Sequence, residues 1–289
     1  MLGALLLWRR QQKAQTPTFA LNHPTPGQAL ITGASSGIGA AFARHLAAHG
    51  YHLVLVARRE ERLHALAQEI SDAYQIQVTP LVADLACPSD VTRVEQHVMR
   101  LTDLDILINN AGFGTSGHFA EIDLDMQLDM IQVHINASVR LCRAALPGMI
   151  ERQRGLLINV ASIAAFLPAP GIVTYAASKN YLVTFSRALQ AELVGTGVLV
   201  QALCPGFTYT EFHDTPEFAT FQRSNVPAPL WMFADDVVNE SLATLAHNRT
   251  VVVPGLKNRL LLLAVQRPFF STLWAIMRGR WRGARSTSS

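Results

Sequence analysis

The chain has 289 residues, 49% of them hydrophobic and 16% charged, which excludes an intrinsically disordered protein and predicts a globular one with a large core. Its three cysteines are scattered and form no CxxC pair, so the sequence favours a reducing, cytoplasmic location over a disulfide framework. The net charge is +3, yet every acidic residue precedes residue 241. No nucleic-acid recognition motif accompanies the basic C-terminal part, so we expect no nucleic-acid partner.

The N-terminal segment, residues 1–25, is expected to be a tail outside the folded domain. Its apolar run precedes its two arginines, Arg9 and Arg10, whereas a secretory signal carries its charges first and ends in a small-residue cleavage site. The run is also shorter than the roughly 20 residues that cross a bilayer. A weak contact of this segment with a membrane surface stays open.

From residue 26 to residue 255, short apolar segments alternate with longer amphipathic ones. This pattern predicts one Rossmann-type α/β domain, with a doubly wound, seven-stranded parallel sheet and helices on both faces. The predicted strands are 29–32, 53–57, 78–83, 106–109, 156–161, 198–203 and 251–253. The predicted helices are 38–49, 61–74, 88–101, 124–149, 174–194 and 234–246.

The first predicted strand leads into a glycine-rich turn, residues 32–39, that opens the first helix. Glycines allow a tight turn and a close approach of the backbone to a pyrophosphate, which the free N–H groups of a helix N-terminus attract. The residues predicted to bind a dinucleotide here are Gly33, Ser35, Ser36, Gly37, Ile38 and Gly39.

The second predicted strand is followed by Arg58 and Arg59, near the point where NAD-binding folds carry an acidic residue. An arginine there suits the 2′-phosphate of NADP, so the sequence predicts a preference for NADP(H) over NAD(H); a solvated helix cap is the alternative role. Ligands of open parallel sheets bind at the carboxyl ends of strands. Further cofactor contacts are therefore predicted at Asp84, Leu85, Asn110, Ala111, Gly112, Pro205, Gly206, Thr208 and Thr210.

Tyr175 and Lys179 stand four residues apart in a predicted helix and so share one face. We expect the charge of Lys179 to lower the pKa of the Tyr175 phenol from about 10 towards neutrality. Ser162 follows the fifth predicted strand and can hydrogen-bond a substrate oxygen. A proton-donating tyrosine, a tuning lysine and a serine are the groups that reversible carbonyl reduction requires.

Together these motifs resemble the short-chain dehydrogenase/reductase family, from about residue 29 to residue 255. The resemblance implies that Ser162, Tyr175 and Lys179 are catalytic and that the tyrosine and the lysine also contact the cofactor. It implies a fourth catalytic residue, Asn136, which would hold a water that links the lysine to solvent. It further implies a homodimer or homotetramer. No spacing of histidines or cysteines indicates a metal site.

Two segments interrupt the alternation of strands and helices. Residues 208–232, called the lid here, are rich in Phe, Thr and Pro; their aromatic side chains favour a hydrophobic substrate, or else form the core of the lid itself. The C-terminal extension, residues 256–289, is apolar and basic, and Arg267-Pro268 between its apolar runs argues against a membrane-spanning helix. Packing on protein and contact with a membrane surface both stay open for this extension.

The sequence therefore predicts an NADP(H)-dependent oxidoreductase that interconverts a carbonyl and a secondary alcohol by hydride transfer. Tyr175 would donate or accept the proton. Two alternatives remain: an epimerase- or dehydratase-type relative that retains its cofactor, and a non-catalytic NADP-binding scaffold. The identity of the substrate is not encoded in any motif of the chain.

Overall fold

The computed structural model describes residues 19–215, 218 and 222–265. Most of the predicted N-terminal tail, Phe221 of the lid and the C-terminal extension from residue 266 onward lie outside the described residues.

A seven-stranded sheet, parallel throughout, forms the centre of the described chain. Its strands run in the spatial order β3-β2-β1-β4-β5-β6-β9, so the direction of winding reverses between β1 and β4. The strands are β1 (Gln28–Thr32), β2 (His52–Ala57), β3 (Val78–Val82), β4 (Leu104–Asn109), β5 (Gly155–Val160), β6 (Val198–Leu203) and β9 (Val251–Val252). The predicted fold class and all seven predicted strands are confirmed.

Helices cover both faces of this sheet, as its near-continuous apolar strands require. They are α1 (Gly37–Ala48), α2 (Glu60–Tyr74), α3 (Pro88–Arg100), α4 (Leu124–Ile131), α5 (Ser138–Glu151), α6 (Val173–Glu192), α7 (Ala234–Ala243) and α8 (Leu256–Val265). A π-helical segment, Gln132–Ala137, joins α4 to α5, so the single helix predicted over 124–149 has a change of winding in its middle. No helix in the described part of the chain combines the length and the hydropathy that a membrane span needs.

Successive residues of the central strands feed two separate cores. Ala29 and Ile31 of β1 pack in one core with side chains of α1, α2 and α7, whereas Leu30 packs in the other with α3, α5 and α6. This alternation follows from the two-residue repeat of a strand. Because both faces are covered, the carboxyl edge of the sheet is the place where polar side chains can meet a ligand.

The lid contains more regular structure than its sequence predicts. Two short parallel strands, β7 (Thr208–Tyr209) and β8 (Met232–Phe233), pair at its two ends. Short 3₁₀ turns at Glu211–His213, Arg223–Asn225 and Ala228–Leu230 lie between them. The pairing returns the chain from the end of β6 to the start of α7, which keeps the lid close to the carboxyl edge of the sheet.

Candidate active site

The glycine-rich turn between β1 and α1 has a backbone that other residues could not adopt. Gly33 and Gly37 have φ of +64° and +55°, in the left-handed region. A Cβ atom on Gly39 would lie 2.3 Å from the carbonyl oxygen of Gly33, and one on Gly33 would lie 2.8 Å from Cα of Ala111. The turn therefore presents bare backbone and the N-terminus of α1 at the carboxyl edge, which fits the pyrophosphate of a dinucleotide.

The end of β4 is bonded directly to this turn. The Asn110 side-chain amide donates to the carbonyl oxygens of Thr32 and Gly33 at 2.9 and 3.1 Å. In return, the Thr32 hydroxyl accepts from the backbone N–H groups of Asn110 and Ala111, both at 3.0 Å. These bonds join the two strands at the point where the winding of the sheet reverses. Asn110 thus acts on the shape of the turn through its side chain.

Of the two arginines after β2, only Arg59 is turned towards the glycine-rich turn. Its guanidinium donates to the Ser35 hydroxyl at 3.1 and 3.2 Å and to the Ser36 hydroxyl at 2.6 Å. Arg58 is exposed. The carboxylate of Glu211, at the start of the lid, accepts from Arg59 and from Arg62, each at 2.7 Å. These two bonds lower the pKa of Glu211. Neither Glu211 nor Arg62 was singled out from the sequence.

Asp84 and Leu85 lie at the carboxyl end of β3, as predicted, but the Asp84 carboxylate is engaged in its own turn. It accepts from the backbone N–H of Ala86 at 3.0 Å, while the N–H of Asp84 donates to Asp90 at 2.8 Å. Leu85 is buried in the core. The other carboxylate oxygen takes no part in this bond and could make the cofactor contact predicted for Asp84.

Ser162, Tyr175 and Lys179 meet at the carboxyl end of β5. The Lys179 ammonium donates to the Val160 carbonyl at 2.9 Å and lies 5.7 Å from the centre of the Tyr175 ring. Ser162 is the residue before a 3₁₀ turn, where its hydroxyl accepts from the Ala164 N–H at 3.1 Å. The Ser162 hydroxyl lies close enough to the Tyr175 phenol to lower its pKa. The three side chains that the sequence singled out for catalysis thus form one cluster.

The electrostatics of this cluster differ from the expectation. Burial raises the pKa of Tyr175 to about 12, and the hydrogen bond from Ser162 opposes this only in part. Burial also lowers the pKa of Lys179 to about 7, against a smaller opposing effect of Cys204. The predicted lowering of the tyrosine pKa by Lys179 is therefore wrong for this state of the protein. Desolvation favours the neutral forms of Tyr175 and Lys179. The Lys179 nitrogen faces the Tyr175 ring and the Val160 carbonyl.

Asn136, predicted as a fourth catalytic residue, turns its side chain to the surface. Its side chain is exposed and donates to Gln132 Oε1 at 2.8 Å, one turn back on the same helix. His134, two residues earlier, is buried instead and lies beside Tyr175 and Lys179. Side chains two positions apart on a helix point to nearly opposite sides, so the side chains of Asn136 and His134 cannot both face the lysine. Among the buried positions of this helix, Met130, His134, Ala137 and Leu141 share one stripe, and that spacing could have identified His134 from the sequence.

The remaining predicted cofactor residues line the side of the cleft next to the lid. Pro205 accepts from the Ile163 N–H at 2.9 Å, and Thr208 donates to the Gly206 carbonyl at 3.1 Å. The methyl group of Thr210 abuts Gly37, whose added Cβ would lie 2.9 Å from it. Gly112 packs against His134 and Lys179. The positions predicted along the carboxyl edge therefore lie beside the glycine-rich turn and the catalytic cluster.

Aromatic side chains of the lid close the outer side of this cleft. The ring of Phe212 lies 5.8 Å from that of Tyr175 and 5.3 Å from that of Phe218. A Cβ on Gly114 would lie 2.8 Å from Phe218, so the lid approaches the chain after β4 closely. Tyr209 stacks on Trp231 at 4.8 Å, farther out. Phe212 thus contacts the tyrosine, while Phe218, Tyr209 and Trp231 belong to a network of rings within the lid.

Comparison with known proteins places this cleft in a family. Residues 28–217 match the family model described as short chain dehydrogenase. The chain belongs to the short-chain dehydrogenase family. A short-chain dehydrogenase from Sphingobium yanoikuyae, solved in complex with NADPH, superposes with a TM-score of 0.74 at 32% identity, covering 92% of this chain and 97% of that one.

Two curated relatives carry different names. The very-long-chain 3-oxoacyl-CoA reductase of Anas platyrhynchos is 34% identical over 237 residues, 78% of this chain and 75% of that protein. The human inactive hydroxysteroid dehydrogenase-like protein 1 is 34% identical over 203 residues, 70% of this chain. The match spans only 62% of the length of that human protein. The family is thus shown, while the relatives are not uniform in their named activity.

Proposed function

We propose that the protein is an NADP(H)-dependent carbonyl reductase or alcohol dehydrogenase that acts on a hydrophobic substrate. The observation that carries this proposal is the cluster of Ser162, Tyr175 and Lys179 in the same cleft as the glycine-rich turn. The serine hydroxyl lies close enough to the phenol to lower its pKa, so one substrate oxygen could be bound by both. This is the geometry that stabilises an alkoxide while a proton is supplied.

The cofactor would be held along the carboxyl edge of the sheet. The turn at Gly33–Gly39 and the N-terminus of α1 would bind its pyrophosphate, with Asn110 fixing the shape of the turn. When bound, the nicotinamide supplies the hydride. Pro205, Gly206, Thr208 and Thr210 line the side of the cleft where the nicotinamide end would lie, because they follow β6 beside the catalytic cluster.

A preference for NADP(H) is supported by the cluster at Arg59. Its guanidinium is bonded to two hydroxyls of the glycine-rich turn, and together with Arg62 it already binds an oxyanion, the carboxylate of Glu211. A 2′-phosphate is an oxyanion that would suit the same donors. The preference rests on Arg59, whereas Arg58 points to solvent.

The protein groups would act in sequence on the substrate oxygen. Ser162 and Tyr175 hydrogen-bond the carbonyl oxygen and polarise it, and Tyr175 gives up its proton as the oxygen gains negative charge. Lys179, whose pKa lies at about 7, then restores the proton to the tyrosine. Burial disfavours a free tyrosinate. The transfer of the Tyr175 proton to the substrate must therefore be coupled to the transfer of the Lys179 proton to the tyrosine.

A hydrophobic substrate is supported by the lid and by the relatives. Phe212 lies against the tyrosine ring and Phe218 packs on Phe212, so the substrate would pass or rest against aromatic side chains. The duck relative is named for a very-long-chain 3-oxoacyl substrate. An apolar ketone, including a 3-oxoacyl thioester, therefore fits this cleft best.

The surface of α8 supports a peripheral membrane contact in the reducing interior of the cell. Leu256, Leu260 and Leu263 are 63%, 55% and 61% exposed along one side of this helix. The chain that follows is basic, which complements an anionic lipid surface. Cosedimentation with phosphatidylserine vesicles, lost when the chain is cut after Gly255, would support this contact, and equal binding by both forms would refute it. Assembly as a dimer or tetramer remains part of the proposal by family resemblance.

The non-catalytic alternative has one observation in its favour, since the human relative is named inactive. That name describes the relative, and this chain retains Ser162, Tyr175 and Lys179 in contact with one another. An epimerase- or dehydratase-type reaction would use the same pair with no net consumption of cofactor.

A spectrophotometric screen separates these possibilities. The protein is mixed with NADPH and, in turn, with short and long ketones, aldehydes, steroids and 3-oxoacyl thioesters. Loss of the reduced-nicotinamide absorbance with formation of one alcohol per NADPH is the expected result, strongest for a long apolar ketone. NADPH binding without turnover of any compound would favour the scaffold, and conversion of substrate without loss of NADPH would favour the epimerase.

A further inference from the structure

His134 is the buried polar residue that contacts the catalytic helix from the opposite side of the cleft. It is 1% exposed and comes from the π-helical segment between α4 and α5. Its ring lies 5.9 Å from the ring of Tyr175, edge to face, and 6.1 Å from that of Phe113. A Cβ on Gly112 would lie 2.7 Å from His134 Nε2 and 3.4 Å from Lys179 Nζ, so both nitrogens border the same glycine.

Both ring nitrogens of His134 have hydrogen-bond partners that define the tautomer. The Ser178 hydroxyl donates its single proton to the Tyr175 carbonyl at 2.9 Å, so it can only accept from His134 Nδ1, also at 2.9 Å. The backbone N–H of Phe113 donates to Nε2 at 3.2 Å, which requires that Nε2 carry no proton. The imidazole is therefore neutral and protonated at Nδ1.

The surroundings keep this imidazole neutral. Burial lowers the pKa of His134 well below its usual value, and the nearby charge of Lys179 adds to the effect. The ionisable groups around the pair are Tyr175 on α6 and Cys204 after β6, and burial raises the pKa of each to about 12, which leaves them uncharged at neutral pH. His134 thus offers a fixed donor and a fixed acceptor across the accessible pH range.

The two partners of His134 belong to the two elements that must stay aligned in the site. Ser178 lies between Tyr175 and Lys179 on α6, and Phe113 follows Gly112 at the end of β4. One side chain thus connects the catalytic helix to the strand end that would line the cofactor. Asn136 has no such position, because its amide is bonded to Gln132 at the surface.

We propose that His134 is a further polar residue of this site: a positioning residue that fixes α6 and its tyrosine against the Gly112–Phe113 turn. This inference rests on the proposed function for its kinetic consequences. Its structural content, a neutral imidazole protonated at Nδ1, can be tested without turnover.

The kinetic test compares three variants. His134→Phe keeps a ring against Tyr175 and Phe113 but removes both hydrogen bonds; kcat is expected to fall between about ten- and hundredfold, because a small misplacement of a catalytic group has effects of that size. NADPH affinity should stay within about twofold, since His134 is not in the glycine-rich turn. His134→Asn, whose amide can still donate to Ser178, should recover part of the loss. His64→Phe, at an exposed position on α2, should stay within about twofold of the wild-type rate.

The pH profile supplies a readout that a merely structural role would not change. Phenylalanine is less polar than imidazole, so His134→Phe should increase the desolvation of Lys179 and move its titration, and with it the basic limb of the reduction rate, to lower pH. His134→Phe with wild-type kcat and an unshifted profile would overturn the proposal. A loss of rate in His64→Phe as large as in His134→Phe would overturn it equally.

Labelling the ten histidines with nitrogen-15 makes the test independent of turnover and of variant folding. In the spectrum of the wild-type protein, the signal that His134→Asn removes should show a neutral ring protonated at Nδ1. This should hold from about pH 5 to about pH 8, the range in which an ordinary histidine changes its charge. Ser178→Ala removes the acceptor and should shift this signal. A His134 ring that titrates near its ordinary pKa, or one protonated at Nε2, would contradict the inference even if the protein reduces no ketone. Absence of turnover with the expected spectrum would instead count against the proposed function alone.

Discussion

The two sides of the cleft are built from different kinds of contact. On the sheet side, Thr32, Asn110 and the glycines of the turn are held by short hydrogen bonds and by backbone approaches that admit no side chain. On the lid side, Phe212, Phe218 and Trp231 are held by ring contacts, and the lid is joined to the domain by exposed ion pairs such as that of Glu211 with Arg59.

This difference separates the site into a part that defines the reaction and a part that selects the substrate. Backbone approaches tolerate almost no change, so substitutions on the sheet side should abolish cofactor binding or turnover. Ring packing and exposed ion pairs are weaker and more adaptable, so substitutions on the lid side should alter affinity by modest factors. Each prediction below tests one side against the other.

The largest effect is expected on the sheet side from Gly39→Ala. The added methyl carbon would lie 2.3 Å from the Gly33 carbonyl oxygen, so α1 would be displaced from the turn. NADPH binding, followed by fluorescence, should fall below detection. Gly148→Ala is a matched control, because it also adds a methyl group within a helix, but its Cβ would meet the Arg152 guanidinium and no part of the glycine-rich turn. Normal NADPH binding by Gly39→Ala would show that the turn is not the dinucleotide site.

A strong pH dependence is expected from Lys179. Burial lowers its pKa to about 7, so the group is a charged proton donor below that pH and neutral above it. The rate of ketone reduction should therefore be constant below about pH 7 and fall up to about tenfold per unit above it. Tyr175, with a pKa of about 12, stays protonated throughout and contributes no limb in this range. A reduction rate that is flat up to pH 9, roughly two units above the lysine pKa, would contradict this role.

A smaller effect is expected where the two sides meet, at Arg59. A charged hydrogen bond contributes about 1.5 kcal/mol or more, so Arg59→Ala should weaken NADPH binding roughly tenfold and leave NADH binding nearly unchanged. Arg58→Ala should have a lesser effect, because this side chain is exposed and away from Ser35 and Ser36. Calorimetric titration of both cofactors into both variants decides which arginine carries the preference. If Arg59→Ala lost equal affinity for NADPH and NADH, the basis for the predicted NADP(H) preference would be removed.

The smallest effect is expected on the lid. Phe212→Ala removes a ring that faces Tyr175, so KM for a long apolar ketone should rise roughly fivefold, with little change for a short one. Phe233→Ala is the control: this ring is 64% exposed and contacts Tyr209 at the outer side of the lid. A rise in KM that is equal for short and long ketones would show that Phe212 does not select the substrate.

The sequence predicted the sheet side well for a physical reason. Strands buried on both faces, glycines at a strand-to-helix turn and polar residues at strand ends are local patterns with few alternatives. The seven strands and the cluster of Ser162, Tyr175 and Lys179 followed from them. The sequence also indicated a long segment between β6 and α7 and its aromatic content.

The misses arose where the answer depends on three-dimensional neighbours. Asn136 and His134 are two residues apart, and a π-helical segment decides which of them faces the cleft. The pairing of Glu211 with Arg59 joins residues 152 positions apart, which no local pattern encodes. The pKa of Tyr175 was predicted from its partner Lys179, whereas the dominant effect is the burial of both side chains.

The central claim is that Tyr175 is the proton donor for a carbonyl bound beside the dinucleotide turn. The most direct measurement compares wild type and Tyr175→Phe for both NADPH affinity and NADPH-dependent reduction of the best ketone. The NADPH affinity of Tyr175→Phe should stay within about twofold of the wild-type value. Its reduction rate should be lowered roughly a hundred- to ten-thousandfold, the range that general acid catalysis contributes. A Tyr175→Phe variant that binds NADPH and reduces the ketone at nearly the wild-type rate would contradict it.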